Sequence, residues 1–422
     1  MKKIYSSIRG MSDFDPAQSL IFKEVILKAK EIFKIFNYEE IILPILEEKG
    51  LFTKGVGEAT DIVERQMFKL EGKDIVLRPE GTAQVIRYYL QNSLHKKGDF
   101  YKFFYTGAMF RGERPQKGRL RQFHHIGAEA IGSGSIYLDA EMIILALKIL
   151  DRAGLSQRQL QINTLGCAED KVKFSRYLKE SLACEKKNLC GDCQKRLGKN
   201  PLRVLDCKKE QCRRIVTALN LRHRHLCGNC QKEFRNLLSL LDDLGIRYTF
   251  SPYMVRGLDY YTHTVFEITS RELGSQDAIG AGGRYNNLIK YLGGPDTPAI
   301  GFALGLERIL LALRQRQKST PVTVKERLDV FVALAGGGFS DLGFNILAQL
   351  RQAGLACDFD YCDKSLKGQL RFAQKKGAKA VVILAESEIK EGMLLLKDMK
   401  KATQKRIKKE KLISEVIKLV KT

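Results

Sequence analysis

Residues 100–131 read FYKFFYTGAMFRGERPQKGRLRQFHHIGAEAI. The aromatic run Phe100–Tyr105 and the stretch Gln122–Ile131 are β-type. Between them Arg111-Gly112-Glu113-Arg114-Pro115-Gln116-Lys117-Gly118-Arg119 combines glycines, a proline and charges, which suits a long exposed turn. Two strands joined in this way form an antiparallel hairpin with a basic tip.

Working outward, residues 17–37 place Leu20, Ile21, Val25, Ile26, Ala29, Ile32, Phe33 and Phe36 at helical spacing, an amphipathic helix with one face on a core. Short β-type runs follow at Glu40–Leu43, Gln66–Leu70 and Ile75–Leu77. Beyond the hairpin, the pattern predicts a helix over 138–153 and a strand at Leu160–Asn163. The composition then shifts: residues 170–235 hold 18 Lys/Arg against 7 Asp/Glu and seven of the ten cysteines, with broken helical periodicity. This reads as an inserted small domain. β character returns at Arg247–Phe250, Tyr260–Ile268 and Ala278–Gly280, and a helix is expected over Ala303–Gln315.

The expected fold is therefore α+β. A largely antiparallel catalytic-type core (1–165 and 245–318) is interrupted by a basic, Cys-rich helical insertion (166–244). A polar linker (319–327) leads to a small α/β domain (328–422) with a β-α-β-α-β pattern and a mostly parallel sheet. Its tail, 397–422, carries ten Lys/Arg against three Asp/Glu and reads as a solvated basic face.

A chain of 422 residues suggests two to four domains at about 100–200 residues each. That length argues against a peptide hormone, a disulfide mini-protein or a lone binding module. With 44% hydrophobic and 28% charged residues the chain should fold throughout. No stretch approaches the roughly 20 apolar residues of a membrane helix, and acids and turn formers near the start leave no signal-peptide core, so a cytoplasmic location is expected. The surplus of 72 Lys+Arg over 48 Asp+Glu, a formal +24, puts nucleic acid first among partners.

The common phosphate loops, nucleophile elbows and His-Glu-x-x-His zinc motifs are absent. Instead, arginines sit beside glycines or aromatics at strand ends: Arg78-Pro79-Glu80-Gly81-Thr82, Phe110–Pro115, Arg256–Tyr261, Gly282–Tyr285 and Gly305–Arg308. Five such forks could bind a triphosphate without a phosphate loop, because guanidinium pairs bidentately with phosphate or carboxylate oxygens. Tyr260, Tyr261 and Tyr285 would supply rigid pocket walls with hydroxyl tips.

These same residues resemble the class II aminoacyl-tRNA synthetases. Arg9–Asp13, Arg78–Thr82, Phe110–Glu129 and Gly301–Arg308 stand in that family's order. Val255–Thr262 and Ala281–Tyr285 look like the two signatures of its histidyl-tRNA synthetase branch. The resemblance implies ligation of L-histidine to its cognate tRNA through a histidyl-adenylate, with ATP and Mg²⁺ as the substrate complex, in a cytoplasmic homodimer that binds neither DNA nor membrane. Dimerisation is expected through residues 35–50. Carried over by motif, Arg256 and Arg111 are catalytic, holding the substrate carboxylate and α-phosphate. Histidine would be bound by Glu80, Thr82, Arg111, His125, Glu129, Arg256, Tyr260, Tyr261 and Tyr285. ATP would be bound by Arg111, Glu113, Arg119, Phe123 and Arg308, with adenine between Phe123 and Arg308. Arg114, Lys117, Arg119 and Arg121 would meet the tRNA acceptor end, and the C-terminal domain its anticodon. One position departs from the pattern: His125 stands where the family usually has Gln.

Cys190-x-x-Cys193 and Cys227-x-x-Cys230 flank Cys207 and Cys212. Paired knuckles of this kind suit a structural zinc held by a subset of the six, but cytosolic cysteines also fill small cores. The rival functions are a catalytically inactive, histidyl-tRNA-synthetase-like regulatory subunit of histidine biosynthesis, a pure RNA-binding protein, and a class II ligase for another amino acid.

Overall fold

The computed structural model describes residues 5–57, 60–221, 223, 225–316 and 328–421. The expected linker at 319–327 lies outside them. The chain divides into two compact units, Met1–Pro321 and Val322–Thr422.

The first unit is built on an eight-stranded sheet. In spatial order its strands are Glu39–Glu40, Tyr101–Phe110, Gln122–Ile131, Ala299–Gly305, Ala278–Arg284, Thr262–Thr269, Gln159–Thr164 and Thr249–Phe250. Pairing is antiparallel except at the two edges, where the short outer strands run parallel to their neighbours. The hairpin of the opening sequence is thus an interior element, in register from Tyr101 opposite Ile131 to Phe110 opposite Gln122.

One face of this sheet is covered by helices. Pro16–Ile35 starts on Asp15, whose carboxylate accepts from Gln18 N–H at 2.7 Å, and has Pro16 in its first turn, where the missing N–H costs nothing. It buries Val25, Ala29 and Phe33, four residues apart. Phe33 stacks on Phe104 of the sheet at 4.2 Å between ring centres. Helices Ile136–Ala153 and Leu306–Arg316 join the same core, as do Phe234, Leu237 and Leu241 of helix Gly228–Asp243. The opposite face carries helix Thr82–Gln91, the helices between 168 and 218, and the loop before Thr262.

Three local expectations are corrected. Gln66–Leu70 forms no strand: residues Ile62–Gln66 are a wide helical turn and only Lys69 bridges to Val76. The helix expected from Ala303 begins at Leu306, because Ala299–Gly305 is an interior strand whose apolar residues serve the sheet. The basic tail also holds more order than its charge suggests. Met393–Asp398 and Thr403–Lys408 form an antiparallel hairpin, followed by helix Leu412–Lys421.

That hairpin completes the five-stranded sheet of the second unit, in the order Cys357–Phe359, Val330–Leu334, Ala380–Leu384, Met393–Asp398, Thr403–Lys408. The first three strands are parallel. Val330, Val332, Val382 and Leu384 enter one core, while Phe331, Ala333, Val381 and Ile383 enter another. Burial on both faces is why these strands read as unbroken apolar runs.

Candidate active site

Alternation along Gln122–Ile131 sends Ile126, Ala128 and Ala130 into the helix-covered core. Phe123, His125 and Glu129 therefore share the other face. Position 127 on that face is glycine, opposite Tyr105. A Cβ there would come within 2.3 Å of the Tyr105 ring, and one at Gly301 within 1.7 Å of Glu129 Oε2. The two glycines strip the sheet locally, so the carboxyl and the phenol lie close against its backbone.

Glu129 is 1% exposed. It accepts from Thr82 Oγ1 at 2.7 Å, Tyr285 OH at 2.6 Å and Tyr105 OH at 3.3 Å. Burial pushes its pKa up to about 8, against the opposing pull of these hydroxyls. Glu80 lies beside it at the start of helix Thr82–Gln91. Its two oxygens accept from Thr82 N–H at 2.6 Å and Ala83 N–H at 3.0 Å, and burial holds its pKa above the usual carboxylate range.

Above this floor is a cleft of about 1000 Å³. Of the residues expected to bind histidine, Glu80, Thr82, Arg111, His125, Arg256, Tyr260 and Tyr261 line it. Glu129 and Tyr285 lie beneath. Of the nucleotide set, Arg111, Glu113, Arg119, Phe123 and Arg308 line the same cleft.

The Arg111 guanidinium lies 5.3 Å from the centre of the Phe123 ring, and its Nε donates to Pro79 O at 2.9 Å. Arg256 pairs with Glu267 at 2.6 Å, while its buried Nε has no partner among the described residues. Arg308 Nε donates to Gly118 O at 2.9 Å, tying the hairpin turn to the final helix of the core, and Nη1 is held by Ala278 O. His125 Nδ1 is buried without a partner among the described residues. Burial, reinforced by Arg111, Arg78 and Arg308, holds its pKa well below the ordinary imidazole value, so the ring is neutral at physiological pH.

Two of the five arginine forks do not reach the cleft. Arg78 is 5% exposed and donates to Ala108 O at 2.7 Å and Leu43 O at 2.8 Å. Arg284 is buried against Asp139 and the carbonyls of Ser133 and Ser135. Both spend their donors inside the fold. In the hairpin turn, Arg114 and Lys117 are exposed, and Arg119 pairs with Glu113. Arg121 is turned back to Glu113 O and Arg9 O.

Sequence reasoning passed over Tyr105 and Glu267. Tyr105 was within reach: it is the one tyrosine of the Phe100–Tyr105 run that falls opposite a glycine once the hairpin register is counted. Glu267 offered no local signal, since its role depends on Arg256, which meets it by a fold of the chain.

The cysteines separate into two groups. Cys190, Cys193, Cys207 and Cys212 have their sulfurs within 4.8 Å of one another, and three of the four are buried. Cys227 and Cys230 stand apart from these, with Cys167 and Asp170.

The family description "Histidyl-tRNA synthetase" matches residues 10–309, and "Anticodon binding domain" matches residues 329–419. A histidine–tRNA ligase of Halothermothrix orenii is 44% identical over 415 residues, covering 98% of this chain and 99% of the relative. The chain belongs to the histidyl-tRNA synthetase family. A histidine–tRNA ligase of Pelotomaculum thermopropionicum is 42% identical over 403 residues, 95% of this chain and 94% of that one. Among solved structures, the apo histidyl-tRNA synthetase of S. aureus superposes with a TM-score of 0.79 at 31% identity, covering 98% of this chain and 100% of its own. No helix among the described residues is long and apolar enough to cross a membrane.

Proposed function

We propose that the chain ligates L-histidine to its cognate tRNA, using ATP and passing through a histidyl-adenylate. The observation that carries this reading is the convergence of Arg111, Arg256 and Arg308 over a floor of Glu129, Tyr105 and Tyr285. Attack of the histidine carboxylate on the α-phosphorus needs its two negative partners held together and the developing charge neutralised, which fixed guanidinium groups do without reorganising. Arg256, one edge of its fork unoccupied by protein, and Arg111 hold the carboxylate and α-phosphate. Arg308 takes the γ-phosphate. With Arg111 over one face of Phe123, adenine takes the other, toward Arg308; Glu113 and Arg119 frame the nucleotide, which enters as its Mg²⁺ complex.

Glu80 and Thr82 anchor the α-amino group, with neutral His125 alongside. Glu129, reached past Tyr260 and Tyr261 and backed by Tyr285, accepts an imidazole N–H. With three hydroxyls already fixing its orientation, the buried Glu129 carboxyl has one acceptor position left for the ligand, and an analogue without the imidazole N–H leaves that position desolvated and unmet.

Arg114, Lys117, Arg119 and Arg121 at the hairpin turn meet the acceptor end, the basic insertion flanks the acceptor stem, and the domain from 328 reads the anticodon. The protein acts in the cytoplasm as a homodimer. Ile35 (74% exposed), Ile42 (92%) and Ile45 (49%) support an interface along residues 35–50, whereas Tyr38 and Leu43 of that stretch are buried. Sedimentation as a monomer at micromolar concentration would count against it. The regulatory-subunit alternative is disfavoured, since both the nucleotide-side arginines and the match to an anticodon-binding domain are present.

The four sulfurs of Cys190, Cys193, Cys207 and Cys212 fit a structural zinc. Zn–S bonds of about 2.3 Å in a tetrahedron require sulfurs roughly 3.8 Å apart; Cys190 and Cys207 are 3.9 Å apart here, and Cys190 N–H already donates to Cys212 Sγ at 3.2 Å. ATP–pyrophosphate exchange across the twenty amino acids tests the central reading: exchange with histidine alone is expected, and exchange with another amino acid or with none would overturn it.

A further inference from the structure

The knuckle Cys227-x-x-Cys230 has its own partner in space. Cys167 and Asp170 repeat its spacing sixty residues upstream, and the three sulfurs and a carboxylate oxygen all lie within 4.8 Å of one another. Both pairs occupy the same local structure. Cys167 is the residue before helix Ala168–Ser181, with Asp170 in its first turn; Cys227 is the residue before helix Gly228–Asp243, with Cys230 in its first turn. Two helix N-termini therefore present anionic ligands to one point, where their free N–H groups favour negative charge.

Asp170 supplies an independent sign. Its side chain is fully buried. Oδ1 accepts from Cys227 N–H at 3.0 Å, but Oδ2 has no hydrogen-bond partner among the described residues. Besides the Cys227 N–H, what surrounds this carboxylate are the thiols of Cys230, Cys167 and Cys227, weak S–H donors whose place a cation would take with a stronger interaction. The backbone is also shaped around this carboxylate: Gly166 has φ of +70°, and a Cβ there would come within 2.5 Å of Oδ2. Cys230 N–H faces Cys227 Sγ at 3.5 Å, and His263 Nδ1 stands 3.9 Å from Cys230 Sγ, both suited to steady a coordinated thiolate from outside the ligand set.

We propose that Cys167, Asp170, Cys227 and Cys230 form a second zinc site, of three thiolates and one carboxylate, separate from the four-cysteine site. It closes the neck of the insertion, joining the helix that leaves the core sheet to the helix that returns. The neck abuts the histidine-signature loop. Leu165 N–H donates to His263 O at 2.8 Å, His263 N–H to Gly166 O at 2.7 Å, and Lys171 Nζ to Asp259 O at 2.9 Å and Tyr261 O at 2.7 Å. An ion here fixes the base of the insertion against the strand that follows Tyr260 and Tyr261.

The test is the metal content of the full-length chain, purified without chelators, by inductively coupled plasma mass spectrometry. The wild type is expected to carry two zinc ions per chain. Cys190→Ser/Cys193→Ser and Cys167→Ser/Cys227→Ser should each retain one, and Asp170→Asn should lose or weaken only the second. Cobalt substituted into the two double variants should give distinct spectra, with less sulfur-to-metal charge-transfer absorption where three thiolates rather than four are bound. The wild-type stoichiometry needs no variant to fold. One zinc per chain, lost with Cys190→Ser/Cys193→Ser and kept by Cys167→Ser/Cys227→Ser, overturns the second site, as does a zinc-free wild type.

Discussion

Arg256→Ala separates the proposed chemistry from the fold. Arg256 and Glu267 are about one-fifth and one-quarter exposed and 2.6 Å apart, so the change removes a cation from the cleft and leaves a largely buried carboxylate behind. Removing one preorganised donor to a charge that develops in the transition state costs about 10² to 10³ in rate, or roughly 2.7–4 kcal/mol. The loss should fall mainly in kcat, because the contact strengthens as the α-phosphorus is attacked. Stability should fall by about 1–3 kcal/mol, below the full cost of breaking a buried pair because both groups retain some water. The double variant Arg256→Ala/Glu267→Gln removes the orphaned charge and should recover most of the stability while exchange stays low. ATP–pyrophosphate exchange with varied histidine, alongside thermal unfolding, reads both effects. Near-normal exchange by folded Arg256→Ala would refute the assignment. Exchange rising in step with stability in the double variant would show that the first loss was structural.

Glu129 gives a pH prediction. Its folded pKa of about 8 lies above the ordinary carboxyl value, so its contribution to stability is complete below about pH 4 and is lost as pH rises through 8, by up to roughly 5 kcal/mol. Denaturant midpoints between pH 5 and 9 should therefore fall more steeply in the wild type than in Glu129→Gln, and equal slopes would exclude a buried titrating Glu129. His125→Gln should leave histidine activation nearly unchanged, with no wild-type limb near pH 6.5 that the variant lacks, since the imidazole is already neutral; a large loss would give the ring a specific role. Ending the chain after Pro321 should preserve substantial histidine activation and cost most of the tRNA charging. Full charging by a truncated chain that still sediments as a dimer would remove the anticodon role of the second unit.

Much of the site was legible because alternation and helical spacing are local. The period of two along Gln122–Ile131 already places Phe123, His125 and Glu129 on one face, and the glycines at 127 and 301 make sense once something bulky must lie flat there. The apolar runs Val330–Leu334 and Ala380–Leu384 likewise announce strands buried on both sides. The tail at 397–422 was misread because its charge count masked its pattern: ten lysines and arginines dominate it, yet Leu412, Ile413, Val416, Ile417, Leu419 and Val420 form the apolar face of a helix packed on the second unit's core, with Ile407 of the preceding strand.

The sequence by itself determined the kinds of groups present and their local faces; the tertiary structure decided which of them meet. Arg78 and Arg284 look like Arg111 and Arg256 in their motifs, yet the former pair ends among carbonyls and Asp139, because a guanidinium's partners are set by packing between segments up to about 150 residues apart. The same holds for the cysteines. Six of them suggested one zinc, and only the meeting of two helix starts sixty residues apart divided them into a four-sulfur group and a pair completed by Cys167 and Asp170. Ligation and ion pairing act over a few ångströms in space and carry no fixed spacing along the chain, so the fold had to form before these partners existed.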